Sequence, residues 1–235
     1  MKPAFRRTTD FIPNAVTCLN LVSGCVAIFM AFQTQRIAGL TGFQWSCIAI
    51  FAAAIFDFLD GAMARLLHKF SPLGADLDSL SDLVSFGVAP GMFMFNLMTS
   101  NGTPIWIAAA TVMIPICGAI RLATFNTDSE QSVNFRGLPI PANALFWIGV
   151  YGWSETWHYP GYGVMLVLIV LISLSMVGRF KMFSLKFKNF DLRDNFARYA
   201  IILAAILFVA FYGLSGLVWT ILLYFFLSFV KRKNL

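Results

Sequence analysis

Long apolar runs separated by short polar breaks make up most of this 235-residue chain. Most of the runs reach the roughly 17–25 residues that an α-helix needs to cross a bilayer. The pattern therefore predicts an all-α, polytopic membrane bundle with about eight transmembrane helices, formed by residues 1–235 as a single domain. The predicted helices lie near residues 13–33, 44–66, 78–99, 104–124, 140–154, 162–178, 197–213 and 215–230.

The composition agrees with a membrane protein and argues against a nucleic-acid partner. Hydrophobic residues form 59% of the chain and charged residues 12%, about half of the roughly 25% charge that soluble proteins carry. The net charge is +6, but the basic residues flank apolar runs. A nucleic-acid surface would instead collect them in a stripe with interleaved aromatic residues. We therefore expect the lipid bilayer, and no nucleic acid, as a partner.

The lysines and arginines orient the predicted bundle. If Lys2 lies in the cytoplasm and each helix crosses once, only Arg36 of the 17 basic residues falls on the outer side. Membrane proteins carry an excess of Lys and Arg in their cytoplasmic loops. An odd number of crossings would divide these residues between the two sides. The sequence thus predicts a multi-pass protein of the bacterial cytoplasmic (inner) membrane, with both termini in the cytoplasm.

The stretch FDFLDGAMARLLHKFSPLGADLDSLSD, residues 56–82, holds five of the 11 acidic residues. Asp57 and Asp60 are three residues apart, and Asp78 and Asp82 are four apart. Both spacings place side chains on a common helical face. The two predicted helices are neighbours, so the four carboxylates can converge near the cytoplasmic side. Asp76 lies off this face, and we expect it to be a solvated loop residue.

Converging carboxylates repel each other strongly at low dielectric constant, so bound cations are expected among them. Hard oxygen ligands in this number suit Mg²⁺ or Mn²⁺, and two ions would balance four negative charges. A two-metal site of this kind is typical of phosphoryl transfer. The small residues Gly61 and Ala64 would leave room for a nucleotide, and Arg65 supplies a cation for phosphate.

A membrane transporter is the alternative from another class, with its acids lining an ion path. Intramembrane acids of transporters lie near the midplane between inverted repeats. Here the acids lie together near one membrane face, and the sequence shows no repeat. The pattern therefore favours an enzyme.

The spacing D57-x-x-D60-G61-x-x-A64-R65-x8-G74-x-x-x-D78-x-x-x-D82 resembles the complete motif of the CDP-alcohol phosphatidyltransferase family. Three further segments, Ile12 to Gly24, Ala119 to Asn126 and Phe135 to Ala144, resemble the phosphatidylserine synthase branch. The resemblance implies a six-helix core with two further helices, and usually a homodimer. It implies transfer of a phosphatidyl group from CDP-diacylglycerol to the hydroxyl of L-serine, with release of CMP.

The resemblance also assigns roles to individual residues. Asp57, Asp60, Asp78 and Asp82 match the metal ligands of the family, and Asp82 also matches the proposed proton acceptor. The positions implied in binding CDP-diacylglycerol, either as nucleotide contacts or as small residues of the motif, are Asn14, Thr17, Gly61, Ala64, Arg65, Ser71 and Gly74.

The acceptor alcohol depends on basic residues outside the motif. Serine brings a carboxylate, so its pocket needs a fixed cation, preferably a bidentate one. Arg121 ends the fourth predicted helix and Arg136 lies in the following loop, with Asn126 between them. Each arginine could also be a solvated residue of the cytoplasmic surface. The pair would equally bind glycerol 3-phosphate, so a phosphatidylglycerophosphate synthase or another member of the family stays an alternative. The branch resemblance favours serine.

Overall fold

The computed structural model describes residues 11–66, 72–127, 135–178, 180–182 and 191–231, and nearly all of them are helical. The α-helices are α1 (Phe11–Ala31), α2 (Gly42–Leu66), α3 (Pro72–Asp82), α4 (Ala89–Ser100), α5 (Ile105–Ala108), α6 (Met113–Thr127), α7 (Ile140–Thr156), α8 (Tyr162–Val177), α9 (Leu192–Tyr212) and α10 (Gly216–Lys231). A π-helical turn (Leu83–Val88) joins α3 to α4, and 3₁₀ turns (Ala109–Val112 and Gly213–Ser215) join α5 to α6 and α9 to α10.

The structure confirms a polytopic helical membrane protein. Within the described residues, five segments are long and apolar enough to cross a bilayer: Asn14–Ala31, Gly42–Leu66, Pro72–Ser100, Ile105–Thr127 and Arg198–Phe229. Helix α8 is apolar but shorter. The count of eight crossings therefore stays a prediction.

The segment Arg198–Phe229 contains two helices that fold back on each other. As one straight helix its 32 residues would be about 48 Å long, whereas a bilayer core is about 30 Å thick. Gly213 has φ +60°, a left-handed conformation that favours glycine. A Cβ atom on Gly216 would overlap the backbone of Phe208. Helices α9 and α10 therefore lie side by side.

The apolar residues divide between a packed interior and a surface suited to lipid. Phe43, Phe93 and Tyr151 pack together with ring centroids 5.3–5.4 Å apart, in the core between α2, α4 and α7. Large side chains such as Phe29 and Phe211 are instead exposed. Exposed apolar residues in this number, on helices long enough to span a membrane, are expected where acyl chains replace water.

Helix α1 is hydrogen-bonded to its neighbours at several positions between Asn20 and Ala31. The Ser46 hydroxyl of α2 donates to the Ala27 carbonyl oxygen over 2.8 Å, and the Asn96 carboxamide of α4 donates to that of Ala31. The Ser85 hydroxyl, in the π-helical turn, donates to the carbonyl oxygen of Asn20 over 2.9 Å. Hydrogen bonds between polar side chains and a neighbouring helix help to fix helix crossings inside a membrane.

The π-helical turn follows directly after Asp82. The Ala89 amide donates to the carbonyl oxygen of Val84, five residues earlier, and such turns are frequent at functional sites. The Asn143 carboxamide of α7 donates to the Phe86 carbonyl oxygen over 3.0 Å, and the Trp147 indole donates to Asn143 over 2.8 Å. The turn is therefore held by a neighbouring helix and not by its own backbone alone.

A short antiparallel ladder departs from the predicted all-α fold, and an isolated β-bridge joins Ile37 to Leu40. Strand β1 (Phe135–Arg136) pairs with β2 (Lys181–Met182). The Gly137 amide then donates to Phe180 and the Leu138 amide to Ser175, over 2.9 Å each. This ladder joins the segment before α7 to the segment after α8, beside the end of the bundle where α3 begins.

We predict that the crossing of α1 over the π-helical turn tolerates only glycine at position 24. A Cβ atom there would meet the backbone and side chain of Ser85. Gly24→Val should lower the unfolding free energy by about 1–3 kcal/mol through overpacking, measured as a fall in melting temperature in detergent. Gly163→Val is the matched control, because a Cβ atom on Gly163 meets nothing within 4 Å. Equal melting temperatures for the two variants would contradict the close crossing.

Candidate active site

The acidic residues of α2 and α3 converge as the spacing predicts. One carboxylate oxygen each from Asp57, Asp60 and Asp78 lie within 4.8 Å of one another. Asp57 and Asp78 are half-buried and Asp60 is 6% exposed. Helical spacing places Asp57 and Asp60 on one face of α2, and α3 brings Asp78 to that face.

Asp82 lies beside this group, one turn further along α3. It is buried, and it interacts electrostatically with Asp57, Asp78 and Asp60. Its Oδ1 atom accepts a hydrogen bond of 3.0 Å from the Asn20 carboxamide of α1. Asp82 therefore contributes to the acidic site, but its carboxylate is also fixed by a neutral donor from another helix.

The three converging carboxylates suit a divalent cation. Asp60 accepts a hydrogen bond from the Thr17 side chain, yet its Oδ2 atom is buried without a hydrogen-bond partner among the described residues. Burying an ionised oxygen in this state is costly unless a cation or donor compensates it. Oxygen ligands in this number and arrangement are those that Mg²⁺ and Mn²⁺ prefer. The residues therefore fit a metal site.

The positions predicted to hold CDP-diacylglycerol lie, where they can be described, on α1 and on the two helices that carry the acids. Thr17 contacts Asp60 from α1, and Asn14 lies one turn before it, half-buried. A Cβ atom on Gly61 would meet nothing within 4 Å, so the backbone of α2 is open there. Arg65 is exposed at the end of the same helix.

The remaining positions of the motif flank the predicted loop between α2 and α3. Ala64 is half-buried on α2, and Gly74 is half-buried on α3. Ser71 lies outside the described residues. Asp76 is exposed, as predicted, but it is part of α3, so its assignment to a loop was wrong.

Arg121, predicted to bind serine, is a buried residue of α6. Only 6% of its surface is exposed, which argues against a solvated cation of the cytoplasmic surface. It lies close enough to Tyr224 of α10 for the two groups to interact electrostatically. A buried cation inside a membrane bundle is costly and is typical of a functional site.

Asn126 brings the end of α6 against the acidic helix. Its carboxamide donates to the Ser79 hydroxyl over 2.8 Å, next to Asp78 in the chain. Of Arg136 the structure describes only the backbone, within β1. Of the three predicted serine contacts, Asn126 is therefore adjacent to the metal helix, Arg121 is buried in the bundle, and Arg136 stays a prediction.

Sequence reasoning missed Asn20 and Tyr224. Each lies within an apolar run, and its polar neighbours at helical spacing, such as Thr17 and Thr220, carry no charge that would mark a site. Both are almost fully buried. The available signal was their chemistry, because a carboxamide or phenol placed within a membrane helix needs a hydrogen-bond partner from another helix.

The opposite end of the bundle holds an aromatic cavity of about 280 Å³, lined by Trp153, Trp157, Phe208, Tyr212 and Trp219. Its lining offers no carboxylate, amine or imidazole. Tryptophan and tyrosine are enriched where a membrane protein meets the headgroup region. The cavity fits a membrane interface, and the candidate chemistry lies at the other end of the bundle.

The fold and site together define a membrane-embedded helical protein with a cluster of acids suited to metal-dependent phosphoryl chemistry. The sequence model of the CDP-alcohol phosphatidyltransferase family matches residues 10–180. This chain belongs to that family, as the motif predicted. Membership favours an enzyme over a transporter.

Three relatives share the name CDP-diacylglycerol–serine O-phosphatidyltransferase. The Methanocaldococcus jannaschii protein is 36% identical over 170 residues, covering 72% of each chain. The Helicobacter pylori (strain J99) protein is 31% identical over 240 residues, covering 94% of this chain and 96% of the relative. The Mycobacterium leprae protein is 35% identical over 175 residues, covering 66% of this chain. That match spans only 55% of the Mycobacterium leprae relative.

We predict that Mn²⁺ binding depends on Asp57 and not on Asp76. Asp57→Asn removes a ligand charge from a group whose oxygens lie within 4.8 Å of one another. Mn²⁺ affinity should therefore fall at least about tenfold, or roughly 1.4 kcal/mol, as measured by calorimetry on the purified protein in detergent. Asp76→Asn removes an exposed acid from the neighbouring helix and should leave the affinity unchanged. An equal loss of Mn²⁺ affinity in both variants would mean that the affinity depends only on the overall charge of this end of the bundle.

Proposed function

We propose that the protein transfers the phosphatidyl group of CDP-diacylglycerol to the hydroxyl of L-serine and releases CMP. The observation that carries this proposal is the convergence of Asp57, Asp60 and Asp78 between α2 and α3. The choice of serine is supported by the shared name of the relatives and by the burial of Arg121.

Asp57, Asp60 and Asp78 would hold the cations, with Asp82 beside them, and two Mg²⁺ or Mn²⁺ ions fit their charge. When bound, such ions neutralise phosphate oxygens and stabilise the leaving phosphate. Thr17 of α1 orients the Asp60 carboxylate. The opening beside Gly61 gives the cytidine diphosphate room along α2, with Asn14 on the facing helix. Ala64 and Gly74 are the other small or polar positions of the described motif, Arg65 is an additional countercharge, and Ser71 stays a predicted contact.

The transfer forms one oxygen–phosphorus bond and breaks another. The serine hydroxyl oxygen attacks the phosphorus that carries the diacylglycerol, and the bond from this phosphorus to the oxygen of CMP breaks. Asp82 orients the hydroxyl and accepts its proton. Arg121, with Asn126 and Arg136, receives the serine carboxylate, because a guanidinium binds a carboxylate through two parallel hydrogen bonds. The acyl chains stay in the bilayer throughout.

The same proposal covers the organisation of the protein in the membrane. Eight crossings, with a six-helix core and two further helices, would place both termini and the acids on the cytoplasmic side of the bacterial inner membrane. This orientation is supported by the basic residues, of which only Arg36 falls outside. The whole chain would form one catalytic domain, and two chains would associate as a homodimer.

The first test of the function compares acceptor alcohols. Purified protein with CDP-diacylglycerol and Mn²⁺ should release CMP rapidly with L-serine, and at least about 100-fold more slowly with glycerol 3-phosphate or inositol phosphate. This expectation rests on the shared name of the relatives, because the arginines alone would bind glycerol 3-phosphate as well. Faster CMP release with glycerol 3-phosphate than with L-serine would mean that the family assignment is correct but that serine is not the acceptor. D-Serine is the matched control for stereospecific binding.

A second test separates the serine contact from the lipid contact. Arg121→Gln keeps much of the side-chain volume but removes the charge, so about 1–3 kcal/mol of charge-assisted binding is lost. The KM for serine should therefore rise about 5–150-fold. The KM for CDP-diacylglycerol should stay within about twofold. Arg65→Gln should raise the KM for CDP-diacylglycerol and leave the KM for serine nearly unchanged. Arg36 is exposed on the predicted outer side, so Arg36→Gln should change neither KM. An unchanged serine KM in Arg121→Gln would exclude Arg121 from the pocket.

A further inference from the structure

Tyr224 is a buried phenol of α10 that belongs to no predicted motif position. Only 2% of its surface is exposed, and it lies close enough to Arg121 of α6 for the two groups to interact electrostatically. Other buried residues of α10 lie three or four positions from one another and from Tyr224, namely Leu217, Ile221 and Ser228. Tyr224 therefore belongs to the face that α10 turns into the bundle.

Helix α10 also contacts the segment that carries the second arginine predicted to bind serine. The ring centroid of Phe180 lies 6.1 Å from that of Phe225 and 5.9 Å from that of Phe229, both on α10. The Phe180 carbonyl oxygen accepts a hydrogen bond of 2.9 Å from the Gly137 amide, and Gly137 directly follows Arg136 of β1. The same helix thus contacts Arg121 and the backbone that follows the second arginine.

A phenol beside a guanidinium orients it without neutralising it. The phenol of a tyrosine is uncharged near neutral pH, and its oxygen can accept a hydrogen bond from one of the five N–H donors of a guanidinium. A carboxylate in the same place would compensate the positive charge. Pairing of a guanidinium with a carboxylate ligand through two parallel hydrogen bonds depends on the direction of the planar group. A buried tyrosine at this position therefore suits an arginine that serves an anionic ligand.

We propose that Tyr224 is a positioning residue that orients the Arg121 guanidinium toward the anionic group of the acceptor alcohol. This inference rests on the proposed function, in which that group is the carboxylate of serine. The sequence model of the family matches residues 10–180, and α10 lies beyond this range. Binding of the acceptor then depends on a helix outside the matched range, whereas the acids and the predicted CDP-diacylglycerol positions lie within it. Tyr224 therefore affects the affinity for the acceptor and not that for the lipid.

The test replaces Tyr224 by Phe, which keeps the ring and removes only the hydroxyl. CMP release from CDP-diacylglycerol is measured with purified protein and Mn²⁺ while the L-serine concentration is varied. The KM for serine should rise about 5–20-fold, because the guanidinium keeps its charge but loses a hydrogen-bonding neighbour. The KM for CDP-diacylglycerol and kcat at saturating serine should stay within about threefold, since a loss of uniform binding raises KM alone. A loss of folded protein would instead lower kcat and leave the serine KM unchanged.

A double variant tests whether Tyr224 acts through Arg121. Adding Tyr224→Phe to Arg121→Gln should change the serine KM by less than about twofold beyond Arg121→Gln alone, because residues that act through one contact are not additive. If the two single effects multiply in the double variant, Tyr224 acts by another route and the proposal is overturned. Tyr224→Met also lacks the hydroxyl, should give the same pattern, and serves if the Phe variant does not fold.

Tyr212→Phe is the matched control, because it removes the same hydroxyl from an exposed tyrosine at the aromatic cavity. Its serine KM should stay within about twofold of wild type, as for other exposed positions. The proposal is also overturned if Tyr224→Phe keeps the wild-type serine KM or if Tyr212→Phe raises this KM equally.

Failure of this proposal can be distinguished from failure of the proposed function. If Arg121→Gln raises the serine KM and Tyr224→Phe does not, only the role of Tyr224 is wrong. If Arg121→Gln leaves the serine KM unchanged, the proposed role of Arg121 and this proposal are both wrong. If wild type uses another alcohol, the proposed function fails in its choice of serine, and the same variants measured with that alcohol still decide the role of Tyr224.

Discussion

Electrostatic repulsion among carboxylates is the constraint on which the rest of this structure depends. Three carboxylate oxygens lie within 4.8 Å of one another, and Asp82 adds a fourth charge beside them. At an effective dielectric constant of about 20, each ionised pair at this distance opposes folding by roughly 3–4 kcal/mol. The helices that carry the acids must therefore be held in place by contacts elsewhere, and the site needs a compensating positive charge.

Helix α1 supplies much of that restraint. It is hydrogen-bonded to α2 through Ser46, to the π-helical turn through Ser85 and to α4 through Asn96. Its own Thr17 and Asn20 contact Asp60 and Asp82, one acid from each of the two helices. A helix without a single acidic residue in its apolar run thus fixes the geometry of the acidic site. Its close approach is possible because Gly24 leaves the space that Ser85 occupies.

The parts of the site that could be predicted from sequence are those with local periodicity. Spacings of three and four residues determine which face of a helix a carboxylate occupies, so the convergence of Asp57, Asp60 and Asp78 followed from the chain itself. The apolar runs likewise located the membrane helices to within a few residues for most of the bundle. Asp76 shows the limit of such reasoning, because the sequence placed it in a loop and the helix α3 begins before it, at Pro72.

The parts that could not be predicted depend on contacts between helices distant in the chain. Asn20 and Asp82 are 62 residues apart, and Asn143 meets the π-helical turn from 57 residues away. No local pattern determines which of several apolar helices lies opposite such a residue. The environment of Arg121 is of the same kind, since its neighbour Tyr224 belongs to α10, far along the chain. A basic residue at a predicted helix end would otherwise be assigned to the membrane surface.

The membrane makes these distant contacts decisive for function. In water, an Asn or Ser side chain without a protein partner costs little free energy, because solvent forms the missing hydrogen bond. Within a bilayer the partner must come from the protein. Each polar contact of α1 is therefore satisfied in only one register of the bundle. The same register brings Thr17 to Asp60 and Asn20 to Asp82. A shift of α1 by one residue would break the hydrogen bonds that hold the helices. The same shift would break the contacts that orient the acids. Stability and site geometry are consequently specified by the same few polar residues.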